Sequence, residues 1–390
     1  MTTMRTGVRS KGLDNAGIAA LRRGIEADMA KGRHHGAVLL VARHGEILVH
    51  EALGTFDRGS DRPLKKTDRF LLASTTKSIT AAAVLRLVDR GEVTLDTPVA
   101  EIIPEFAVRG KQRVTLYHLL NHTGGTWPYF GPPPPLTGAD MANMAKMVAA
   151  VCAQQLAHRP GEVVVYNPWA DFTLVGEIIQ RISKRKFRDF LNDEIFSPLG
   201  MSDSSVGLPV DHPDRVPIRV TDLNPGAVEA NTLEALNLLG DGEEAIRPSG
   251  GIFSTAVDVF KFAEMLRLGG TGNGARILSQ ALTDYALQNH TGDRPNTFWD
   301  FSKESRNIPE FPANFTLVGG YTRGSGHYLT PLGQLATPRS FGGVGAGSTL
   351  FMVDPERELT LVFLTAGLME GLGHFQRLQR ISDLALAAAI

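Results

Sequence analysis

The sequence predicts an α/β fold: an antiparallel sheet flanked by helices, with a mostly helical region inserted into it. Three observations carry that expectation. Near the start, apolar runs at 36–43 and 47–54 are joined by His44-Gly45-Glu46, a short glycine-containing link that signals a hairpin. Helical periodicity dominates from Ser74 to about Leu268. Strand patterns then return at 348–353 and 359–365, on either side of the turn Asp354-Pro355-Glu356-Arg357. Sheet, helices and sheet again mean that the two ends of the chain form one body. The expected division is residues 1–70 with 310–390 as the sheet domain and 71–309 as the mostly helical domain, with the functional site at their junction.

Taken in order, 11–31 reads as an amphipathic helix. The stretch before it carries Arg5 and Arg9 but no apolar core, so it does not read as a signal sequence. After the hairpin, the polar stretch 57–68 leads to an apolar run and an alanine-rich helix that continues to Arg90-Gly91. Helices follow at 114–121, 137–157, 172–182 and 187–196, the third of them capped by Asp171. Thr126-Trp127-Pro128-Tyr129-Phe130-Gly131 runs into four prolines and cannot be helical; it is a stiff connector or a wall of a cleft. The glycine cluster 269–274 lacks a preceding strand and reads as a connector between helices. A long helix over 371–389 closes the chain.

Of 390 residues, 43% are hydrophobic and 21% charged, enough to bury a large core. Forty basic residues against forty-one acidic ones leave no net field to draw nucleic acid or an anionic membrane. No run approaches the roughly 18 apolar residues of a membrane span. Cys152 is the only cysteine, which excludes an internal disulfide and suits a reducing compartment, so a cytoplasmic protein is expected.

The chemistry centres on Ala73-Ser74-Thr75-Thr76-Lys77. On a helix Lys77 stands one turn from Ser74, a nucleophile beside a base. An exposed lysine, with a pKa of about 10.4, cannot accept a proton at neutral pH, but burial lowers that value by several units. Spacing alone proves little: Ser183 and Lys186 share it in a basic surface turn, whereas the flanks of Ser74 are apolar. Tyr166 ends a valine run just ahead of a helix. By itself it reads as a core tyrosine; as a base or proton relay it needs its pKa lowered, which an adjacent Lys77 ammonium would favour. The stretch Phe341-Gly342-Gly343-Val344-Gly345-Ala346 suits a strand approached closely by a ligand, or a bulged strand with turn glycines.

Together these pieces resemble the serine β-lactamase and penicillin-recognising (transpeptidase-like) superfamily, in particular its class C-like branch with the family VIII carboxylesterase type. The likeness runs from about residue 15 to 388. It takes in Val93-Thr94-Leu95-Asp96, Leu119-Leu120-Asn121-His122-Thr123-Gly124-Gly125, Pro198-Leu199-Gly200-Met201 and Pro248-Ser249-Gly250-Gly251. It implies Ser74, Lys77 and Tyr166 as catalytic residues and the N–H groups of Ser74 and Ala346 as oxyanion donors. Gly343, Val344 and Gly345 would lie on the strand bordering the site. Asn167 and Trp127 would contact substrate.

Two departures from the family pattern matter. Asn167 directly follows Tyr166 where Tyr-x-Asn is usual, and Gly343 offers no cation or ring to a substrate carboxylate. Both favour a carboxylic ester, with a small amide next, over a β-lactam. The implied activity is cofactor-free hydrolysis through an acyl-enzyme on a small-molecule substrate. The alternatives are an acyltransferase with the same Ser-Lys-Tyr site, a β-lactamase or amidase, and a non-catalytic binding protein. His118 and His122, four apart, have no third ligand at motif spacing and read as structural, so no metal is expected. No Gly-x-Ser-x-Gly or His-Glu-x-x-His occurs.

Overall fold

The computed structural model describes residues 12–222, 246–346, 348–369 and 371–390. The stretch before residue 12, with its expected lack of a signal sequence, lies outside them. Helix α1 spans Asn15–Ala30, its N-terminus capped by Asp14, whose carboxylate accepts from the Gly17 N–H. Strands β1 (Gly36–Arg43) and β2 (Glu46–Gly54) form the expected hairpin. Its turn is two residues, His44 and Gly45, both with positive φ (53° and 78°), the geometry whose twist matches paired strands.

Four more strands complete an antiparallel sheet: β3 (Tyr321–Thr322), β4 (Phe341–Gly345), β5 (Thr349–Asp354) and β6 (Leu359–Thr365). The order is β2-β1-β6-β5-β4-β3, so β1 from the start of the chain pairs directly with β6 from its end. That pairing is what closes the two ends into one body.

Both faces of the sheet are covered, which explains why β1 reads as a continuous apolar run rather than an alternating one. Leu39, Val41 and Phe363 pack against α1 and the closing helix α5 (Gly371–Ala387). Val38, Leu40 and Val362 face the other way, into a second and larger core. That core contains α2 (Thr76–Asp89), α3 (Ala170–Ser183) and α4 (Ala256–Arg267). Burying these faces at about 25 cal/mol per Å² of apolar surface is the main stabilising term.

One local expectation is corrected. Asp171 does not cap α3; it sits inside the first turn, and the Asn167 side-chain oxygen takes the N–H groups of Trp169 and Asp171 instead. The glycine cluster at 269–274 connects two helices, Ala256–Arg267 and Gln280–Ala286, as expected, and does so through a small ribbon pairing Thr271–Gly272 with Ala275–Arg276 about Asn273 and Gly274, both at positive φ. Among the described residues, no helix is long and apolar enough to cross a membrane.

Candidate active site

A short strand, Phe70–Leu71, brings the chain to Ser74. It pairs with Ile252–Ser254, and the Leu72 N–H donates to Ile252 O at 2.8 Å. Ser74 lies in a single tight turn, Ala73–Thr75, that runs straight into α2. Ala73, just before Ser74, is held at φ 46°, a conformation a non-glycine residue adopts at a cost of about 1–3 kcal/mol. Strained backbone of this kind persists where surrounding contacts fix it, and here β4 and β5 supply them. Thr349 donates through its hydroxyl to Leu72 O at 2.8 Å and lies 3.2 Å from the Thr75 hydroxyl.

Gly345 is what allows β4 to pass so close. A Cβ there would sit 2.1 Å from Leu72 O and 2.2 Å from the Thr349 hydroxyl. With only hydrogen at that position the strand reaches the Ser74 turn, and Val344, Gly345 and Ala346 border the same cavity as Ser74.

Lys77 is fully buried, 0% exposed, beneath Ser74. Its Nζ lies 3.3 Å from Ser74 Oγ, 2.9 Å from Pro168 O and 3.0 Å from Ser249 O. Burial pushes its pKa down to about 7, against a smaller upward pull from Asp171. A neutral amine has two N–H groups and one lone pair. The two backbone carbonyls match the two N–H groups, which leaves the lone pair for the serine hydroxyl.

Tyr166 reaches the site from the segment leading into α3. Its hydroxyl is 2.5 Å from Ser74 Oγ, its N–H donates to Asn296 Oδ1, and its ring is wedged among His122, Phe298 and Phe315. The expected lowering of its pKa is reversed: burial pushes the phenol up, and the bond to Ser74 only partly offsets this. A neutral amine at Lys77 provides no charge to pull the phenol down, so Tyr166 stays protonated.

The other expected contacts divide. Asn167 is 2% exposed, and its amide donates to Thr126 Oγ1 and Trp127 O, both at 2.8 Å. Instead of facing the cavity, it ties the proline-rich loop to the start of α3. Trp127 also stands back from the cavity, packed edge-on against Tyr129 with its ring N–H bonded to Gly131 O. Its neighbours Pro128, Tyr129 and Phe130 form the wall, which resolves the choice between connector and cleft wall. Gly343 does not border the cavity, and a side chain there would strike Phe351 and the Ser78 hydroxyl.

His118 and His122 have structural placements. The first accepts the Thr115 N–H at the start of a short helix. The second is buried against Tyr166 and accepts the Asn167 N–H at Nδ1. His122 Nδ1 lies 3.4 Å from Asp171, but burial lowers the ring's pKa and that nitrogen already accepts a hydrogen bond from the Asn167 N–H, so the contact is not an ion pair. Among the described residues, no group of three or more His, Cys, Asp or Glu side chains is placed to hold a metal.

The cavity above Ser74 has a volume of about 510 Å³. Much of its lining was not anticipated: Phe298, Trp299 and Phe301 from one segment, Tyr321 from β3, and Phe375 from α5. The cluster Phe298-Trp299-Asp300-Phe301, in a chain with only 7% aromatics, was the one signal that could have flagged it. Arg247 also borders the cavity and was not anticipated.

Comparison with known proteins gives a consistent answer. The family model for beta-lactamase matches residues 21–385. The chain is 31% identical over 309 residues to esterase EstB of Burkholderia gladioli, covering 72% of this chain and 76% of that one. It is 28% identical over 297 residues to the lovastatin esterase of Penicillium rubens, covering 69% and 72% respectively. Among solved structures, a penicillin-binding protein homolog from Caulobacter crescentus superposes with a TM-score of 0.77 at 25% identity, covering 97% of this chain and 99% of the other. The matched span runs from within α1 to the last turns of α5, and the chain belongs to the beta-lactamase family.

Proposed function

We propose that this protein is a serine hydrolase that cleaves carboxylic esters through an acyl-enzyme on Ser74. The observation that carries the reading is the buried Lys77 amine, its two N–H groups matched by two carbonyls and its lone pair left for Ser74 Oγ. Lys77 takes the serine proton as Oγ bonds to the ester carbonyl carbon. The negative charge that develops on the carbonyl oxygen is held by the N–H groups of Ser74 and Ala346. As the carbon–oxygen bond to the alcohol breaks, Tyr166 gives its proton to the departing oxygen and regains one from the Lys77 ammonium. Water then attacks the acyl-enzyme, loses its proton through the same pair, and releases the acid while Ser74 is reprotonated.

Esters are favoured over β-lactams by three features. The cavity wall is mainly apolar and rich in aromatic side chains, Gly343 brings no cation from the strand, and Asn167 is committed to the loop. The names of two of the curated relatives, both esterases, support the same choice. We further infer that the site lies at the junction of a sheet domain, 1–70 with 310–390, and a mostly helical domain, 71–309. A cytoplasmic location suits a sole cysteine, Cys152, that is buried and has its thiol pKa raised to about 11.

The test is hydrolysis of 4-nitrophenyl butyrate together with intact mass after treatment with a fluorophosphonate. The wild type should turn over the ester and gain one adduct, and Ser74→Ala should do neither. Undiminished turnover by Ser74→Ala would end the proposal. Product formed only when an alcohol acceptor is added would redirect it to acyl transfer, and rapid opening of nitrocefin would redirect it to a β-lactamase.

A further inference from the structure

Arg247 is only 3% exposed, and among the described residues Nε, Nη1 and Nη2 find no hydrogen-bond partner. Among the described residues, the charged group bearing on it is another cation, Arg215; that repulsion adds to burial and lowers the Arg247 pKa to about 10. At neutral pH the guanidinium is therefore still charged. A buried charge without a partner is among the costliest arrangements a protein can hold, worth several kcal/mol. Nothing described in the fold offsets that cost.

The turn that carries Arg247 is fixed against the catalytic helix. Thr80 donates to Pro248 O at 2.7 Å, Lys77 donates to Ser249 O, and the N–H groups of Gly250 and Gly251 both donate to Arg247 O. Arg247, Ser249 and Gly250 border the cavity together with Ser74. Arg247 thus lines the same cleft as Ser74 from an anchored turn; its guanidinium nitrogens are buried beside that cleft, and its long stem has several bonds about which the group can turn toward the cavity.

We propose that Arg247 is an anion-binding group for the substrate, and that the preferred ester carries a carboxylate on an otherwise apolar, aromatic-compatible body. This deepens the hydrolase reading and rests on it. A planar guanidinium pairs with a carboxylate through two parallel hydrogen bonds, and the aromatic side chains of Phe298, Trp299 and Phe301 receive the body. The cation that Gly343 does not provide from β4 comes instead from the turn ahead of Ile252–Ser254.

Binding is measured by calorimetry on the full-length Ser74→Ala variant, so that the result does not depend on turnover. The probes are monobenzyl succinate and its neutral counterpart benzyl succinamate, which replaces the carboxylate by a carboxamide of similar size. The acid should bind about tenfold tighter or more, the range expected of a buried charge-assisted pair. Introducing Arg247→Gln should bring the ratio to near one, and Arg247→Lys should leave part of it. Equal binding of the two probes by Ser74→Ala overturns the proposal, as does a preference that survives Arg247→Gln in a protein that melts normally. If Arg247→Gln does not fold, the lysine variant decides: a ratio unchanged from that of Ser74→Ala overturns the proposal. Failure of the wild type to hydrolyse both monobenzyl succinate and neutral esters would count against the hydrolase reading and leave the binding ratio standing on its own.

Discussion

The Lys77 amine lies 3.3 Å from the Ser74 hydroxyl in a position with no solvent exposure, and its basicity is set by that burial. The neutral form is the one that can accept the serine proton. Activity should therefore rise with pH through about 7, the value to which burial lowers Lys77, and then level off. The measurement is kcat/KM for a neutral ester from pH 5 to 9. Lys77→Arg should abolish the ascending limb along with the activity, because a guanidinium cannot deprotonate in this range.

Tyr166→Phe separates the phenol's chemistry from its packing. The ring would keep its edge-on contacts with Phe298 and its place beside His122, so the protein should fold. Only the hydroxyl 2.5 Å from Ser74 is lost. We expect kcat to fall by roughly 10²–10⁴, the usual worth of a positioned proton donor. Since burial raises the phenol's pKa, the wild-type profile should show no descending limb from Tyr166 below pH 10. A kcat within about threefold of wild type would remove the phenol from the proton path.

Gly345→Ala probes the approach of β4 to the Ser74 turn. The added methyl would overlap Leu72 O and the Thr349 hydroxyl, atoms held by their mutual hydrogen bond. Either the strand retreats or the turn does, and both move Ala346 relative to Ser74. We expect a stability loss of about 1–3 kcal/mol by urea denaturation, with a larger proportional loss of activity.

How much of this was readable beforehand depends on how local each relationship is. Ser74 and Lys77 are neighbours by helical geometry, so their 3.3 Å separation follows from a three-residue spacing. The β1–β2 hairpin and the return of strands near the end are equally local, and with β1 pairing to β6 they define the body. The protonation of Tyr166 was misjudged because it depends on the charge of Lys77, which is set by burial that no spacing reports. Asp171 looked like a cap, but its carboxylate accepts from Thr126 and lies beside His122, while Asn167 does the capping. Arg247 and Phe298 belong to no motif; they reach the cavity only through the packing of distant segments.

Asn167→Ala should behave as a structural lesion. It would leave Thr126 Oγ1, Trp127 O and the N–H groups of Trp169 and Asp171 each short of a partner in a buried setting. A loss of about 1–3 kcal/mol is expected by chemical denaturation. Because the loop it ties down also forms the wall at Tyr129 and Phe130, KM should rise more than kcat falls. A variant of wild-type stability with altered substrate preference would return Asn167 to the substrate-contact role.

Buried histidines make the fold sensitive to acid. His34 is 1% exposed, and burial, helped by Arg377, lowers its pKa to about 3; His374 is lowered well below 6.5 by burial and the same arginine. In the unfolded chain both rings take up protons as pH falls through about 6.5. Between there and about pH 3 the unfolded state binds more protons at His34 than the folded state does, so stability is lost as pH falls. Each such histidine contributes a slope of about 1.4 kcal/mol per pH unit. Lys77 acts in the same direction in a higher window: its folded pKa of about 7 lies below the ordinary 10.5, so stability rises with pH between those values. Urea denaturation at pH 7.5, 6 and 5 reads the acid limb, and His34→Leu should make it shallower by about one proton's worth. A limb unchanged by that substitution would mean that His34 is protonated in the folded protein, against its burial beside Phe363.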